Sequence, residues 1–269
     1  MQEWRLINFG YSDGAMNMAI DEAVSQTMVE GVVPPTLRFY GWRPPCLSLG
    51  YAQKASEVEW DVCGSLGVDV VRRPTGGRAI LHDQEVTYSV IAPEENPLVS
   101  GTILQSYLKL SQGLLRGLRK LGIEAEMVSH KDLDELGTSA CFDSPSFYEM
   151  VVGGRKTVGS AQTRKNGVLL QHGSIILDID ADMLFSVLSF RNEEVRNRMK
   201  QAFRSKACSL QDAAGRKLDY QEVSEAIASG FCEALGITLV EGKLTPAEIA
   251  LARKLAETKY GSDEWNRKR

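Results

Sequence analysis

Along "SDGAMNMAIDEAVSQTM", Met16, Ile20, Val24 and Met28 recur every fourth residue, which predicts an amphipathic helix behind a Ser12/Asp13 cap. The longer run "TILQSYLKLSQGLLRGLRKLG" places Leu104, Leu108, Leu115 and Leu118 on one side and stops at Gly122. Shorter apolar runs read as strands. "TLRFYGW" and "CLSLGYA" flank a Pro44/Pro45 break, and "VDVVRR" and "EVTYSVIA" are joined by "PTGGRAILHDQ". "SFYEMVV", "KTVGSAQTR" and "GVLLQHGSIIL" form a meander whose turns are Gly153/Gly154 and Asn166/Gly167. From about residue 180 the pattern is helical. "LTPAEIALARKLAETKY" opens with Thr245 as cap, Pro246 at the first position and Glu248 three residues after the cap. Strands first, with helices on one side and at the end, predict an α+β fold rather than alternating βαβ units. There is no internal repeat or low-complexity linker. Residues 1–269 are therefore expected to form a single domain, with a core of about 33–240 and a helical C-terminal tail of about 241–269.

Composition narrows the function classes. The net charge of −4 makes non-specific nucleic-acid binding an unsuitable main role. The start, "MQEWRLINFGYSDG", lacks the apolar core of a signal peptide, and no run reaches the length of a membrane span, so no membrane partner is expected. Cys46, Cys63, Cys141, Cys208 and Cys232 are odd in number, widely spaced and without a C-x-x-C pair. That pattern suits free thiols in a cytoplasmic protein better than a disulfide framework or a zinc site, and no metal is expected.

Three stretches carry candidate chemistry. P-loop, G-x-S-x-G and H-E-x-x-H motifs are all absent, and the histidines are only His82, His130 and His172. "RRPTGGRAILHD" combines Arg72, Arg73, Gly76, Gly77, Arg78 and His82; paired glycines admit a ligand to the backbone, and arginines suit phosphate or carboxylate. A plain hairpin turn with solvated arginines fits the same letters. In the second stretch Cys141 precedes Lys156 by fifteen positions, across a Gly-Gly-Arg turn. A free thiol is only about 3% thiolate at pH 7, and a nearby ammonium that lowers its pKa by about two units makes thiolate the major form, for about 2.7 kcal/mol. Spacing alone equally allows a buried, inert Cys141 and a surface Lys156. His172 sits inside an apolar strand, where a structural role competes with a catalytic one. Residues 191–206 hold six basic against two acidic residues, either a solvated helix face or a dock for an acidic protein.

Taken together, "RRPTGGRAILHDQEVTYSV", "ACFDSPSFYEMVVGGRKTVGSAQTR", "LQHGSIIL" and "LAETKYGSDEWNRKR" resemble the cysteine-dependent octanoyltransferases of bacterial lipoate assembly, within the biotin/lipoate ligase catalytic superfamily. The likeness runs from "FGYSDGAMNMAIDEA" to the last residue. The Gly-Gly and Lys-x-x-Gly-x-Ala-Gln motifs are shared across the superfamily; "CFDSPS" ahead of the lysine hairpin is the specific element. The resemblance implies a mixed, largely antiparallel sheet flanked by helices, with a small helical C-terminal region. It implies that Cys141 carries the acyl group as a thioester and that Lys156 lowers its pKa. It also implies substrate-binding roles for Arg72, Arg73, Gly76, Gly77, His82, Gly159, Ala161 and His172.

The implied donor is octanoyl-acyl carrier protein, and the implied acceptor is the lipoyl-domain lysine of a glycine-cleavage H protein; the enzyme is expected to be a monomer. Thioester-to-thioester exchange followed by amide formation needs no ATP, and no cofactor is expected. Two neighbouring reactions stay open: an ATP-dependent lipoate ligase, against which Ser160 of Gly-Ser-Ala-Gln speaks, and an amidotransferase between lipoyl domains.

Overall fold

The computed structural model describes residues 1–31, 33–129 and 148–269; Cys141 with its "CFDSPS" run, and His130, lie outside the described residues. Among the described residues, eight strands form the main sheet. From one edge these are β11 (Ile237–Glu241), β1 (Gln2–Ser12), β2 (Thr36–Trp42), β6 (Glu85–Pro93), β10 (Val168–Ile176), β9 (Arg155–Lys165), β8 (Tyr148–Val152) and β7 (Glu126–Ser129). β1 runs parallel to both β11 and β2, and the other neighbours pair antiparallel, which gives the mixed, largely antiparallel sheet that was expected. A second sheet of three short strands, β4 (Asp69–Arg72), β3 (Cys46–Leu49) and β5 (Ile80–His82), carries the Gly-Gly loop between β4 and β5.

Helices cover both faces of the main sheet, not one. On β2, Leu37 and Phe39 face the layer of α3 (Ile103–Lys120) and α7 (Tyr220–Leu235). Tyr40 and Trp42 face the layer of α1 (Gly14–Val29) and α8 (Pro246–Leu255). α2 (Trp60–Leu66) and α4 (Ala181–Ser186) pack near the small sheet, around Leu47, Leu49 and Val68. α5 (Glu193–Lys206), α6 (Leu210–Ala214) and α9 (Asp263–Asn266) complete the α-helices among the described residues.

Local signals hold where they were strongest. Asp13 caps α1 through the Met16 amide, and Thr245 with Glu248 forms the capping box of α8. Asn166 (φ 53°) and Gly167 (φ 77°) make the tight β9–β10 turn. Four strands escaped the hydrophobic pattern; one is β7, a four-residue edge strand in which no residue is buried. In β1 the pairing with β2 shifts between Asn8 and Tyr11, which breaks the alternation. β11 is an edge strand with exposed residues, inside what reads as a helical region. β5 is only three residues long, too short to show a period.

The buried side of α3 also differs from expectation. Leu104, Leu108 and Leu115 are only half-buried, whereas Leu110, Leu114 and Leu118 are buried. Gly113 and Gly117 turn this face toward α7, where a Cβ on Gly230 would lie 2.3 Å from both the Gly113 carbonyl oxygen and the Gly117 nitrogen. Alanine at 230 gains about 1 kcal/mol of helix propensity, yet both obstacles are backbone and the helices must separate. Gly230→Ala is therefore expected to destabilise the fold by about 1–3 kcal/mol. A urea unfolding midpoint at or above that of the wild type would contradict this.

The basic segment forms α5, and much of its charge is answered locally. Lys200 and Arg204 reach Asp182 at 3.0 and 2.7 Å, and Arg196 pairs with Glu193.

Candidate active site

A cavity of about 270 Å³ lies where the Gly-Gly loop meets the β8–β9 hairpin and β10. The loop contributes Arg73, Gly76 and Gly77, and β5 contributes His82. The hairpin strands contribute Lys156, Gly159 and Ala161, and β10 contributes His172. With Arg78, nine residues singled out as candidate chemistry in the sequence thus line one cavity. The antiparallel pairing of β9 with β10 sets Ala161 opposite His172 and Gly159 opposite Ser174. Trp42, Ile80, Leu81, Val151, Ile176 and Phe203 add apolar wall.

Arg72 stands apart. It does not line the cavity, and it is fully buried. Its guanidinium donates to the carbonyls of Gly50 (2.9 Å), Gln53 (2.6 Å) and Asn266 (2.8 Å), tying the small sheet to α9. Arg73 borders the cavity but directs its donors inward. Nη1 donates to the Ser48 carbonyl and hydroxyl at 3.0 Å each, while Nη2 donates to the carbonyls of Gly76 and Arg78 at 2.8 Å each. Burial brings its pKa down to about 10, so it remains charged at neutral pH. Both arginines were expected to meet phosphate or carboxylate; the structure uses them to clamp backbone. A run of carbonyls from residues far apart in sequence satisfies them, which no local motif announces.

Lys156 stands at the cavity with its Nζ 2.6 Å from Glu149 Oε2 on the neighbouring strand. Its backbone carbonyl accepts from the Cys208 amide at 2.8 Å, which fastens the start of β9 at the cavity edge. His172 is buried. Its Nε2 lies 2.6 Å from the Thr75 hydroxyl and its Nδ1 lies 3.4 Å from Asp21. Burial lowers the His172 pKa, and Asp21 opposes this only in part, so the ring is neutral near pH 7. Asp21 is itself fully buried, which alone would raise its pKa. The Arg38 guanidinium at 2.6 Å, together with His172, overcomes this and holds the carboxyl below its usual range.

Several members of the site were not picked out by sequence. Ser48, Glu85 and Glu149 line the cavity, and Thr75 and Asp21 support His172. The available signal was a carboxylate within an apolar run: Asp21 in "MAIDEAV", Glu85 ahead of "VTYSVIA", Glu149 in "SFYEMVV". Such a residue must find a partner when its segment is buried. Asn17, one helical turn before Asp21, reinforces that signal, because its Oδ1 accepts from Arg38 at 2.8 Å.

Residues 13–232 match the lipoyl protein ligase A/B catalytic domain. An octanoyltransferase LipM from Kyrpidia tusciae is 51% identical to this chain, and the alignment covers 99% of each chain. One from Brevibacillus brevis is 49% identical over the whole of both. Among solved structures, a bi-partite lipoate protein ligase of an archaeal lipoylation system, from Thermoplasma acidophilum, superposes with a TM-score of 0.84. It is 27% identical and covers 99% of this chain and 97% of its own.

Proposed function

The chain belongs to the lipoyl protein ligase A/B catalytic-domain family, and from that premise we propose that it is an octanoyltransferase of protein lipoylation. The octanoyl group passes from acyl carrier protein to Cys141 and then to a lysine of a lipoyl domain, that of the glycine-cleavage H protein first among the acceptors. Residues 1–269 act as one catalytic unit.

The observation that carries this reading is the cavity itself. Of the two arginines at its wall, Arg73 spends its donors on backbone carbonyls and Ser48 and Arg78 pairs with Glu57, which leaves a largely apolar cleft with Lys156 at its edge. That environment fits an acyl chain joined to a thioester. The thiolate of Cys141 attacks the octanoyl carbonyl and the pantetheine thiolate leaves, a nearly isoenergetic exchange. The acceptor amine then displaces the Cys141 thiolate and forms a stable amide. Splitting the transfer lets the carrier protein depart before the acceptor docks. Lys156 stabilises the thiolate and the oxyanion that develops in each step. Each buried CH₂ contributes about 0.8 kcal/mol, or roughly fourfold, so chain-length preference around eight carbons is expected to be graded.

The fold shared with a lipoate ligase makes ATP dependence the competing outcome. Incubation with octanoyl-acyl carrier protein in the absence of ATP is expected to add the mass of one octanoyl group to the intact chain. Hydroxylamine should remove that adduct, as it cleaves thioesters. Acylation of the acceptor that occurs only with ATP would identify a ligase instead.

A further inference from the structure

A second polar constellation borders the same cavity. Ser48, His82 and Glu85 all line it, yet they come from β3, β5 and β6, two strands of the small sheet and one of the main sheet. The Ser48 hydroxyl lies 2.8 Å from His82 Nε2, and His82 Nδ1 lies 2.8 Å from Glu85 Oε1. The imidazole is held flat against Trp42, with ring centroids 4.1 Å apart and an interplanar angle of 11°.

The network fixes the tautomer. Glu85 accepts from the hydroxyls of Thr87 and Ser174 as well as from the His82 ring, which marks it as a carboxylate. Burial alone would raise its pKa; His82 and the two hydroxyls outweigh this and hold it below the ordinary carboxylate value. Nδ1 therefore carries the imidazole proton. Arg73 Nη1 donates to the Ser48 oxygen at 3.0 Å, so the Ser48 proton is directed to Nε2. One lone pair of Ser48 remains, on a residue that lines the cavity.

We propose that Ser48, His82 and Glu85 form a proton relay that serves the amine-transfer half of the reaction. The inference rests on the octanoyltransferase reading. Thiolate attack on a thioester releases no proton that must be removed, because one thiolate replaces another. Amine attack differs. As the nitrogen of the neutral acceptor amine bonds to the carbonyl carbon, its remaining protons become acidic. One passes to Ser48 Oγ while the Ser48 proton moves to His82 Nε2. The C–S bond then breaks, and its electron pair leaves on the Cys141 sulfur as thiolate. The imidazolium, stabilised by Glu85, later returns its proton to solvent. In this scheme Ser48 is a catalytic residue, and His82 and Glu85 act through it as positioning and proton-accepting residues. The titratable groups near the imidazole are Glu85, Arg73 beyond Ser48, and His172 on β10.

The test separates the two half-reactions on the full-length chain. Acylation by octanoyl-acyl carrier protein is followed by intact mass, and the isolated acyl-enzyme is then mixed with a lipoyl domain in a single turnover. Ser48→Ala, His82→Ala and Glu85→Gln alter the cavity wall, so acylation is expected to fall by a small factor. Transfer to the amine should fall about 10²-fold further than acylation does, the lower range of general base catalysis. Added imidazole should restore part of the transfer in His82→Ala and none in Ser48→Ala. Parallel loss of both steps in all three variants, or wild-type transfer by Ser48→Ala, would overturn the relay. Ser48→Ala removes one oxygen atom, so it keeps the test decisive if His82→Ala does not fold. A wild-type chain that never acylates without ATP would overturn the octanoyltransferase reading, and the relay with it.

Discussion

Replacement of Cys141 by serine is expected to reduce octanoyl transfer by at least about 10³-fold, a loss of about 4 kcal/mol of transition-state stabilisation. The reason is chemical, not structural. The proposed thioester step needs a nucleophile that ionises near neutral pH, which a thiol can do beside a cation and a serine hydroxyl cannot. The other four cysteines offer no substitute, because none of them lines the cavity. Cys46 is fully buried, and burial first, with Asp69 next, pushes its thiol well above the ordinary value. Burial pushes Cys63 up to about 11, and it also raises Cys208. Cys232, half-buried on α7 and not part of the cavity wall, serves as control. Cys232→Ala should transfer octanoyl at the wild-type rate. The measurement is acceptor octanoylation by mass spectrometry, with circular dichroism to verify folding. A folded Cys141→Ser protein with wild-type turnover would remove the thioester from the mechanism.

Gly77→Val is expected to slow acylation by about 10²-fold, the size of effect that a displacement of about 1 Å has at a reacting centre. The "PTGG" run suggested that glycine lets a ligand approach the backbone. The structure supplies two further reasons. Gly77 has φ of 96°, a conformation that a β-branched residue adopts only with strain. A Cβ there would lie 2.7 Å from Arg73 Nη2, the atom that clamps the carbonyls of Gly76 and Arg78. The loop has no room to retreat, because its Gly77 carbonyl oxygen sits 1.9 Å from where a Cβ on Gly50 would be. The substitution should also lower stability by about 1–3 kcal/mol. Gly76→Ala gives the contrast: its Cβ would meet open space at ordinary φ, and its unfolding midpoint should stay near that of the wild type. A Gly77→Val protein that acylates normally would mean that the cavity wall does not depend on this loop.

The sequence by itself determined what contiguous residues can encode. Apolar spacing located α1, the long helix α3 and the three-strand meander, and cap and turn residues placed their ends. The Gly-Gly stretch and the lysine hairpin were both legible as candidate chemistry, and folding brings them to one cavity. The same local logic fails for β1, β5, β7 and β11, where a register shift, lengths of three and four residues and an exposed edge erase the period.

Tertiary structure alone decided which polar residue serves which purpose. Arg72 and Arg73 are adjacent and chemically identical, yet one ties down Asn266, 194 positions away, and the other braces the cavity loop. Ser48 and Glu85 are ordinary letters in two apolar runs until β3, β5 and β6 bring them to opposite nitrogens of one imidazole. A buried charge or hydroxyl is stable only with its partners satisfied, and those partners come from wherever the chain returns. Backbone preference acts over a few neighbouring residues and can be read from their order. Desolvation and hydrogen bonding act over a few ångströms of space, and only the folded chain says who the neighbours are.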